Sequence, residues 1–298
     1  FYKELVDSGD LPIRLNVMIY EKNEALKEQI GDYRIINYGN NHLTVRAIKS
    51  YIDGALGSRG AWMINDYDDL PDHKGLNVTP IHVLTETAKI AIENGFQMCT
   101  HAIGDRGNHE ILNIYEKVFE ENPDKTNLRW RVEHAQHLTR EDIPRFAQLK
   151  VIAAMQGVHA TSDGPFVSKR LGRERAKRGA YVWRKLIDSG ATICNGTDAP
   201  IESVNTIANY FSSVTRLMSN GTPFFPEENM TRLEALKSYT INGAYAAFQD
   251  DKLGSLKIGK LADMVVLSND LTKVSDYDIK STQVEMTLVG GKIVYIKN

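Results

Sequence analysis

The regular alternation of short apolar segments with longer amphipathic segments constrains the fold of this chain more than any other feature. Strands that are buried on both faces of a sheet are continuous apolar runs rich in Val and Ile. In this sequence, five amphipathic segments with a helical period lie among such runs. Alternation of this kind predicts repeated βα units around a parallel sheet, which is an α/β fold. The candidate strands are 14–20, 43–52, 96–102, 128–135, 150–156 and 191–196, and the candidate helices are 79–95, 105–122, 174–190, 204–221 and 231–248.

The character of the sequence changes after Gly254. The runs LADMVVLS, STQVEMTLV and GKIVYIKN are short and apolar, are separated by glycines and have no helical periodicity. We therefore expect two parts, an α/β portion at 1–250 and a small β module at 251–298.

Composition and charge limit the partners and the compartment of the chain. The 298 residues are 42% hydrophobic, which is enough for a sizeable core, and the net charge of −2 gives no field that would attract nucleic acid or an anionic membrane. Cys99 and Cys194 both lie in apolar runs, as buried reduced thiols do, so we expect a cytoplasmic protein. No apolar run approaches the roughly 20 residues of a membrane-spanning helix. A signal peptide removed upstream would leave no trace here.

Polar side chains stand at or near the ends of several candidate strands. In a parallel α/β barrel, reactive groups lie at the carboxyl ends of the strands. Lys49, His101, His134, His159 and Asp198 occupy such positions. Imidazoles and carboxylates are ligands for zinc and similar divalent ions, whereas a lysine becomes a ligand only after reaction with carbon dioxide to form a carbamate. The pattern predicts a divalent-metal constellation.

Structural roles compete with the functional ones. A single histidine at a strand end is more often a hydrogen-bonded structural group, and only the agreement between strands favours ligation. Asp105, in HAIGDRG, is expected to cap the following helix, and Glu133 faces away from His134 on the same strand. The charged segment 172–178 is expected to be a solvated helix face, with a lid arginine as the alternative.

Six segments together resemble the amidohydrolase superfamily, and in particular the amidohydrolase 3 branch that includes N-substituted formamide deformylases. The resemblance covers nearly the whole chain. It implies a TIM (β/α)8 barrel with a divalent metal centre and an attached β-sandwich made from both chain ends. The segments are KSYIDGALGSRGA, HAIGDRGNHEIL, RVEHAQHL, QGVHATSD, RGAYVWRKLIDSGATICNGTDAPIES and GSLKIGKLADMVVLSND.

The resemblance assigns roles to four residues. His101 and His134 match the metal ligands of the fifth and sixth barrel strands. Asp198 matches the aspartate of the eighth strand, which contacts the metal and handles a proton. Lys49 matches the position where a carboxylated lysine is expected. The implied cofactor is one or two divalent ions, with zinc as the expected metal.

One element of the family pattern is absent from this sequence. The first barrel strand of the family ends in a His-x-His pair, and none of the eight histidines here forms one. Six candidate strands also cannot close an eight-stranded barrel. We therefore expect an incomplete barrel of about six βα units, strands three to eight, from the C-terminal part of a longer protein. Its remaining ligands are expected to hold one ion weakly or none.

The resemblance implies metal-dependent hydrolysis of a carbon–nitrogen bond, of the amide or formamide type, in a small-molecule substrate. Asp198 is the expected general base and then general acid toward a metal-activated water. His159 and Arg59 are candidates for binding or polarising the substrate. Hydrolysis of an ester, lactone or phosphoester, deamination, and a non-catalytic scaffold remain alternatives, and homo-oligomer formation is left open.

Overall fold

A computed structural model describes residues 1–297, and the chain divides into two compact units. Unit 1 contains residues 1–154 and 166–192, and unit 2 contains residues 155–165 together with the chain from 193 onward. The expected boundary after residue 250 stays a prediction. None of the helices in the described part of the chain is long and apolar enough to cross a lipid bilayer.

The elements follow one another as alternating strands and helices. The first half consists of α1 (Tyr2–Ser8), β1 (Leu15–Ile19), α2 (Asn23–Tyr33), β2 (Ile35–Asn37), α3 (Tyr38–Asn41), β3 (Leu43–Tyr51), α4 (Ile81–Glu93), β4 (Gln97–Ala102), α5 (Asp105–Glu121) and β5 (Arg131–His134). The second half consists of α6 (Ile143–Gln148), β6 (Ile152–Met155), α7 (Gly157–Leu171), α8 (Arg173–Gly179), α9 (Trp183–Asp188), β7 (Ile193–Asn195), α10 (Thr206–Thr215), a short 3-10 helix (Pro226–Glu228), α11 (Arg232–Tyr239), α12 (Ile241–Ala246), β8 (Met264–Leu267), α13 (Asp276–Ile279), β9 (Val284–Val289) and β10 (Lys292–Ile296). All six predicted strands are present.

The strands of unit 1 form a parallel sheet in the order β1-β3-β4-β5-β6. The short β2 pairs antiparallel with β3, through Ile35 and Val45. In the parallel register Tyr51 lies beside His101, and Ala102 lies beside His134. Because parallel strands end at the same edge, β3, β4 and β5 deliver their last side chains to one rim of the sheet.

Helix α5 is anchored to the sheet by an aromatic cluster. Tyr115 and Trp130 are fully buried and meet edge to face at 4.9 Å between ring centroids. Trp130 donates its indole N–H to the carbonyl of Phe96 at 3.1 Å, and the Tyr115 hydroxyl donates to the carbonyl of Arg131 at 3.0 Å. These bonds satisfy the N–H and O–H groups of the large rings, so the cluster fixes the start of β5 without leaving a buried donor unpaired.

Unit 2 is built around β7 and its flanking helices. The amide of Gly196 donates to the carbonyl of Met155 at 3.0 Å, and Asn242 of α12 donates its side-chain amide to the carbonyl of Ile193 at 2.9 Å. Helix α11 begins with a capping box, in which the Thr231 hydroxyl accepts from the backbone of Glu234. Strands β8, β9 and β10 form the small antiparallel sheet expected near the C-terminus.

The structure differs from the sequence prediction in several helices. The segment 174–190 forms two helices, α8 and α9, because the chain turns through a left-handed residue at Tyr181 (φ 52°). The segment 231–248 is interrupted at Thr240, whose backbone angles (φ −118°, ψ −95°) are not helical. His159 does not continue strand β6 but lies in the first turn of α7, a helix absent from the prediction.

Candidate metal-binding and catalytic residues

His101 and His134 lie together on the rim of the sheet in unit 1. His101 is the fifth residue of β4 and His134 is the last residue of β5, and their ring centroids are 4.5 Å apart. Burial, followed by the neighbouring His134 and Lys49, lowers the pKa of His101 to about 2. The imidazole is therefore neutral at physiological pH, which is the form that ligates a metal.

The Nε2 atom of His101 has no hydrogen-bond partner among residues 1–297, although it is buried. The carboxyl group of Asp53 lies close by, with its Oδ1 3.5 Å away. A buried polar atom without a partner is uncommon in a folded protein, because it loses its bonds to water and gains nothing in return. This nitrogen is therefore open to a further hydrogen-bond or ligand partner.

His134 has a backbone conformation that L-amino acids rarely adopt. Its φ is 75°, and the next residue, Ala135, is also left-handed at φ 46°. Each such residue costs roughly 1–3 kcal/mol, and residues of this kind cluster at functional sites. The strain turns the chain sharply where β5 ends.

Lys49 lies on β3, beside the two histidines. Its ammonium stands 4.5 Å from the ring centroid of Tyr51, and the Tyr51 ring lies 5.2 Å from the ring of His101. The positive charge of Lys49 contributes to the lowered pKa of His101. The structure thus brings Lys49, His101 and His134 into one neighbourhood within unit 1.

Asp53 is a site residue that the sequence analysis missed. It is 2% exposed, and its carboxylate accepts backbone N–H groups from Ile103 at 2.9 Å, Gly104 at 2.7 Å and Trp62 at 2.9 Å. Burial raises the pKa of Asp53 to about 7, although the three N–H groups oppose the shift. Asp53 thereby ties the end of β3 to the loop that follows His101. The aspartate directly after a buried strand, in YIDG, was the available signal.

Gly104 is required by close packing within the HAIGDRG loop. A Cβ atom at this position would lie 2.0 Å from the carbonyl oxygen of Trp62. That same carbonyl accepts the N–H groups of Arg106 and Gly107, each at 3.1 Å. The loop is held against the segment after β3 by backbone bonds, and no larger residue fits at 104.

His159 and Asp198 form a second pair, within unit 2. His159 is 8% exposed, and its Nε2 lies 3.8 Å from Oδ2 of Asp198. Asp198 follows β7 and has a left-handed backbone (φ 59°). Its carbonyl accepts the amide of Ile201 at 2.8 Å, so the aspartate opens a tight turn. At this separation the imidazole and the carboxylate are neighbours without a direct hydrogen bond.

The structure gives Asp105 and Arg59 contacts that the sequence analysis did not predict. Asp105 is not the helix cap, because α5 is capped at Gly104 and Asp105 instead accepts the amide of Ile64 at 2.8 Å. The guanidinium of Arg59, a candidate for substrate binding, donates two hydrogen bonds of 3.0 Å to the carboxylate of Asp69, and its substrate role stays a prediction. It braces the loop after β3.

Glu133 keeps the structural role expected of it. Its Oε1 accepts Nε of Arg131 at 2.7 Å, two residues back on the same face of β5. Alternation along the strand directs this ion pair away from His134.

Comparison with known proteins shows the family to which the fold belongs. The chain has an α/β fold of the TIM (β/α)8 class with a small antiparallel sheet, as expected from the sequence. A metal-dependent hydrolase of Pyrococcus horikoshii OT3 has a similar structure, with a TM-score of 0.80 and 26% identity over 92% of this chain and 54% of that one. A family model described as the amidohydrolase family matches residues 1–295. The chain belongs to this family.

Curated relatives support the same conclusion. The chain is 38% identical to Protein LONG AFTER FAR-RED 3 of Arabidopsis thaliana, over 85% of this chain and 43% of that protein. It is 32% identical to the putative amidohydrolase YtcJ of Bacillus subtilis, over 100% of this chain and 55% of the relative. It is 26% identical to an N-substituted formamide deformylase of Arthrobacter pascens, over 84% of this chain and 45% of the relative. The chain thus spans about half the length of the curated relatives it matches.

Proposed function

We propose that this chain carries metal-binding and proton-transfer residues of a metal-dependent hydrolase that cleaves a carbon–nitrogen bond in a small molecule. The observation that carries the proposal is the buried, neutral imidazole of His101, whose Nε2 lacks a partner among residues 1–297 and lies beside His134. Membership of the amidohydrolase family and the likeness to a structure described as a metal-dependent hydrolase support it.

The proposed ligands are His101, His134 and Asp198, with Lys49 joining them after conversion to a carbamate. The donor set fits a divalent ion, because two imidazoles and a carboxylate suit zinc and its neighbours. The orphaned Nε2 of His101 fits the same group, since a metal bond would satisfy it. Zinc is the ion we propose.

The reaction is the addition of water to an amide or formamide carbonyl, followed by loss of the amine. A divalent ion bound by these ligands would polarise the carbonyl and make a water more acidic. Asp198 accepts the proton from the attacking water and delivers it to the departing nitrogen, so the products are a carboxylic acid and an amine. His159, at 3.8 Å from Asp198, orients that carboxylate or the water beside it.

Metal binding tests the ligand assignment. Titration of the metal-free chain with zinc, followed by calorimetry, is expected to show one saturable site in the wild type. His101→Ala and His134→Ala are expected to lose it. The matched control is His82→Ala, because His82 is an exposed histidine of α4. A wild type without saturable zinc binding, or loss of binding in the control alone, contradicts the assignment.

Measurements of substrate turnover test which bond is cleaved and whether Asp198 is the general base. We expect hydrolysis of an N-substituted formamide or anilide in the presence of zinc, and its abolition in Asp198→Asn while the zinc content stays nearly unchanged. An ester panel run in parallel separates the bond types: turnover of esters without amides contradicts the carbon–nitrogen assignment. Retained amide turnover in Asp198→Asn contradicts the role of Asp198. Absence of turnover on every substrate by the zinc-loaded chain favours the non-catalytic scaffold.

A further inference from the structure

A cavity lies within unit 1, and the proposed metal ligands do not line it. Its volume is about 400 Å³, and neither Lys49 nor the two ligand histidines line it. Its walls come from residues 63–65 after β3, from the start of α5, from residues 137–141 after β5 and from α8. We call it the arginine pocket, defined by His137, Asp105, Arg140, Arg175 and Arg178.

His137 is the buried group of the arginine pocket. Its side chain belongs to a residue that is 2% exposed, and neither ring nitrogen has a hydrogen-bond partner among residues 1–297. The backbone is nevertheless fixed, because the amide of His137 donates to the carbonyl of Ile103 at 3.0 Å. The ring packs edge to face against Tyr181 at 5.5 Å. The residue is therefore held rigidly with two polar atoms unused.

Burial gives His137 a defined chemical character. It lowers the pKa of the imidazole to about 3, with Arg175 as the second cause. The neutral ring has one N–H donor and one acceptor. Leaving both unpaired is unfavourable, so a ligand or water that reaches the ring gains hydrogen bonds without displacing existing ones.

Arginines supply the charge of the pocket. Arg175 lines the pocket, and its guanidinium is held by hydrogen bonds that it donates to the carbonyls of Leu171 at 2.8 Å and Asp66 at 2.8 Å. Arg140 and Arg178 are exposed at the mouth, and within residues 1–297 neither guanidinium has an ion pair or hydrogen bond. Free guanidinium groups present paired N–H donors that match carboxylate and phosphate oxygens.

Two acidic groups also face the pocket, and neither cancels this charge. Asp105 accepts the amides of Ile64 and Arg106 through Oδ1, so part of its charge is already compensated by N–H groups. Glu141 is exposed at the rim, where solvent screens it. Three arginines against two carboxylates leave a net positive pocket.

We propose that the arginine pocket is a binding site for a small oxyanion of the carboxylate or phosphate class. The charged oxygens of the ligand bind Arg140 and Arg178, and the ring N–H of His137 donates to an oxygen that reaches the floor. Nothing in this assignment depends on the proposed metal ligands. Failure of the proposed hydrolase function and failure of this site are therefore separable by experiment.

The test observes the ring of His137 directly. Long-range ¹H–¹⁵N correlation spectra of the chain are recorded at pH 7.5 and constant ionic strength while sodium succinate or sodium phosphate is added. We expect the ring nitrogens of His137 to shift and saturate with at least one of the two anions. The signal is assigned by its absence in His137→Phe. The anion that causes a saturable shift identifies the chemical class of the ligand. A shift with succinate indicates a carboxylate, and a shift with phosphate indicates a phosphate.

Matched arginine variants test which arginine side chains bind the anion. Arg178→Gln is expected to raise the dissociation constant about tenfold or more, since it removes a charge-assisted pair. Arg184→Gln, a half-buried arginine of α9 outside the pocket, is expected to leave the constant unchanged. If His137→Phe fails to fold, the signal is assigned instead as the histidine ring resonance that shifts with the anion in the wild type and does not shift in the double variant Arg140→Gln/Arg178→Gln. Absence of a saturable shift with either anion, or equal weakening in Arg184→Gln, overturns the proposal.

Discussion

Trp130 offers a quantitative test of how the rim is held, because it anchors the strand that ends in His134. The side chain is fully buried, donates one hydrogen bond to the carbonyl of Phe96, and packs edge to face on Tyr115 at 4.9 Å and Phe119 at 5.0 Å. Replacement by phenylalanine removes the N–H group and the second ring while keeping one aromatic ring in place.

The expected loss in the free energy of unfolding is the sum of three contributions. The lost hydrogen bond contributes about 1 kcal/mol. A cavity of roughly 40 Å³ at about 24 cal/mol per Å³ contributes about 1 kcal/mol more. Weakening of the aromatic pairs adds about 0.5 kcal/mol. We therefore expect Trp130→Phe to lower the free energy of unfolding by roughly 2–3 kcal/mol.

Urea denaturation followed by far-ultraviolet circular dichroism measures this value, because fluorescence would change with the tryptophan itself. The matched control is Trp62→Phe, since the Trp62 side chain is only half-buried and has no hydrogen bond among residues 1–297. We expect the control to lose less than about 1 kcal/mol. If Trp130→Phe loses no more than the control, the anchoring role assigned to the indole is refuted.

Three further substitutions test separate contacts. Gly104→Ala would place a Cβ 2.0 Å from the Trp62 carbonyl, so we expect a loss of about 2 kcal/mol or more in urea denaturation and faster amide exchange in residues 101–107. Tyr115→Phe removes a buried hydroxyl that donates to a backbone carbonyl, and thermal unfolding is expected to report a loss of about 1 kcal/mol. Thr231→Ala breaks the capping box with Glu234, and the same measurement is expected to show a loss of about 1 kcal/mol.

The central strands β3, β4 and β6 were predictable from the sequence because most of their residues are buried. The run VIAAM, for example, is continuously apolar, and β6 accordingly lies at Ile152–Met155 with every residue buried. The short β2 and the helix α2 were missed. Strand β2 is three residues long and only partly buried, so it carries no periodic signal. Helix α2 has an exposed face rich in charge and a narrow buried stripe.

The candidate site was less predictable, because its details depend on backbone geometry. Position at the end of a strand identified His101 and His134, which the structure brings together. No local sequence pattern reveals that Asp53 accepts hydrogen bonds from three backbone N–H groups that lie 9 to 51 residues away. Nor does any reveal that Arg59 forms an ion pair with Asp69. The left-handed backbone of His134 is likewise invisible in the sequence. Such features arise only when distant loops meet.

A buried polar atom without a partner makes the folded chain less stable until a partner binds it, and His101, the proposed ligand, allows this to be measured. His101→Leu replaces the ring with an apolar side chain of similar size and removes the orphaned Nε2. Without metal, we expect the variant to be more stable than the wild type by about 1 kcal/mol in urea denaturation, since an unsatisfied buried polar group is lost. Zinc at about 100 times its dissociation constant should stabilise the wild type by about 2.7 kcal/mol and leave the variant unchanged, so the order of stability reverses. A metal-free variant that is less stable than the wild type by more than about 1 kcal/mol would mean that the imidazole serves the fold, and that its open nitrogen is incidental.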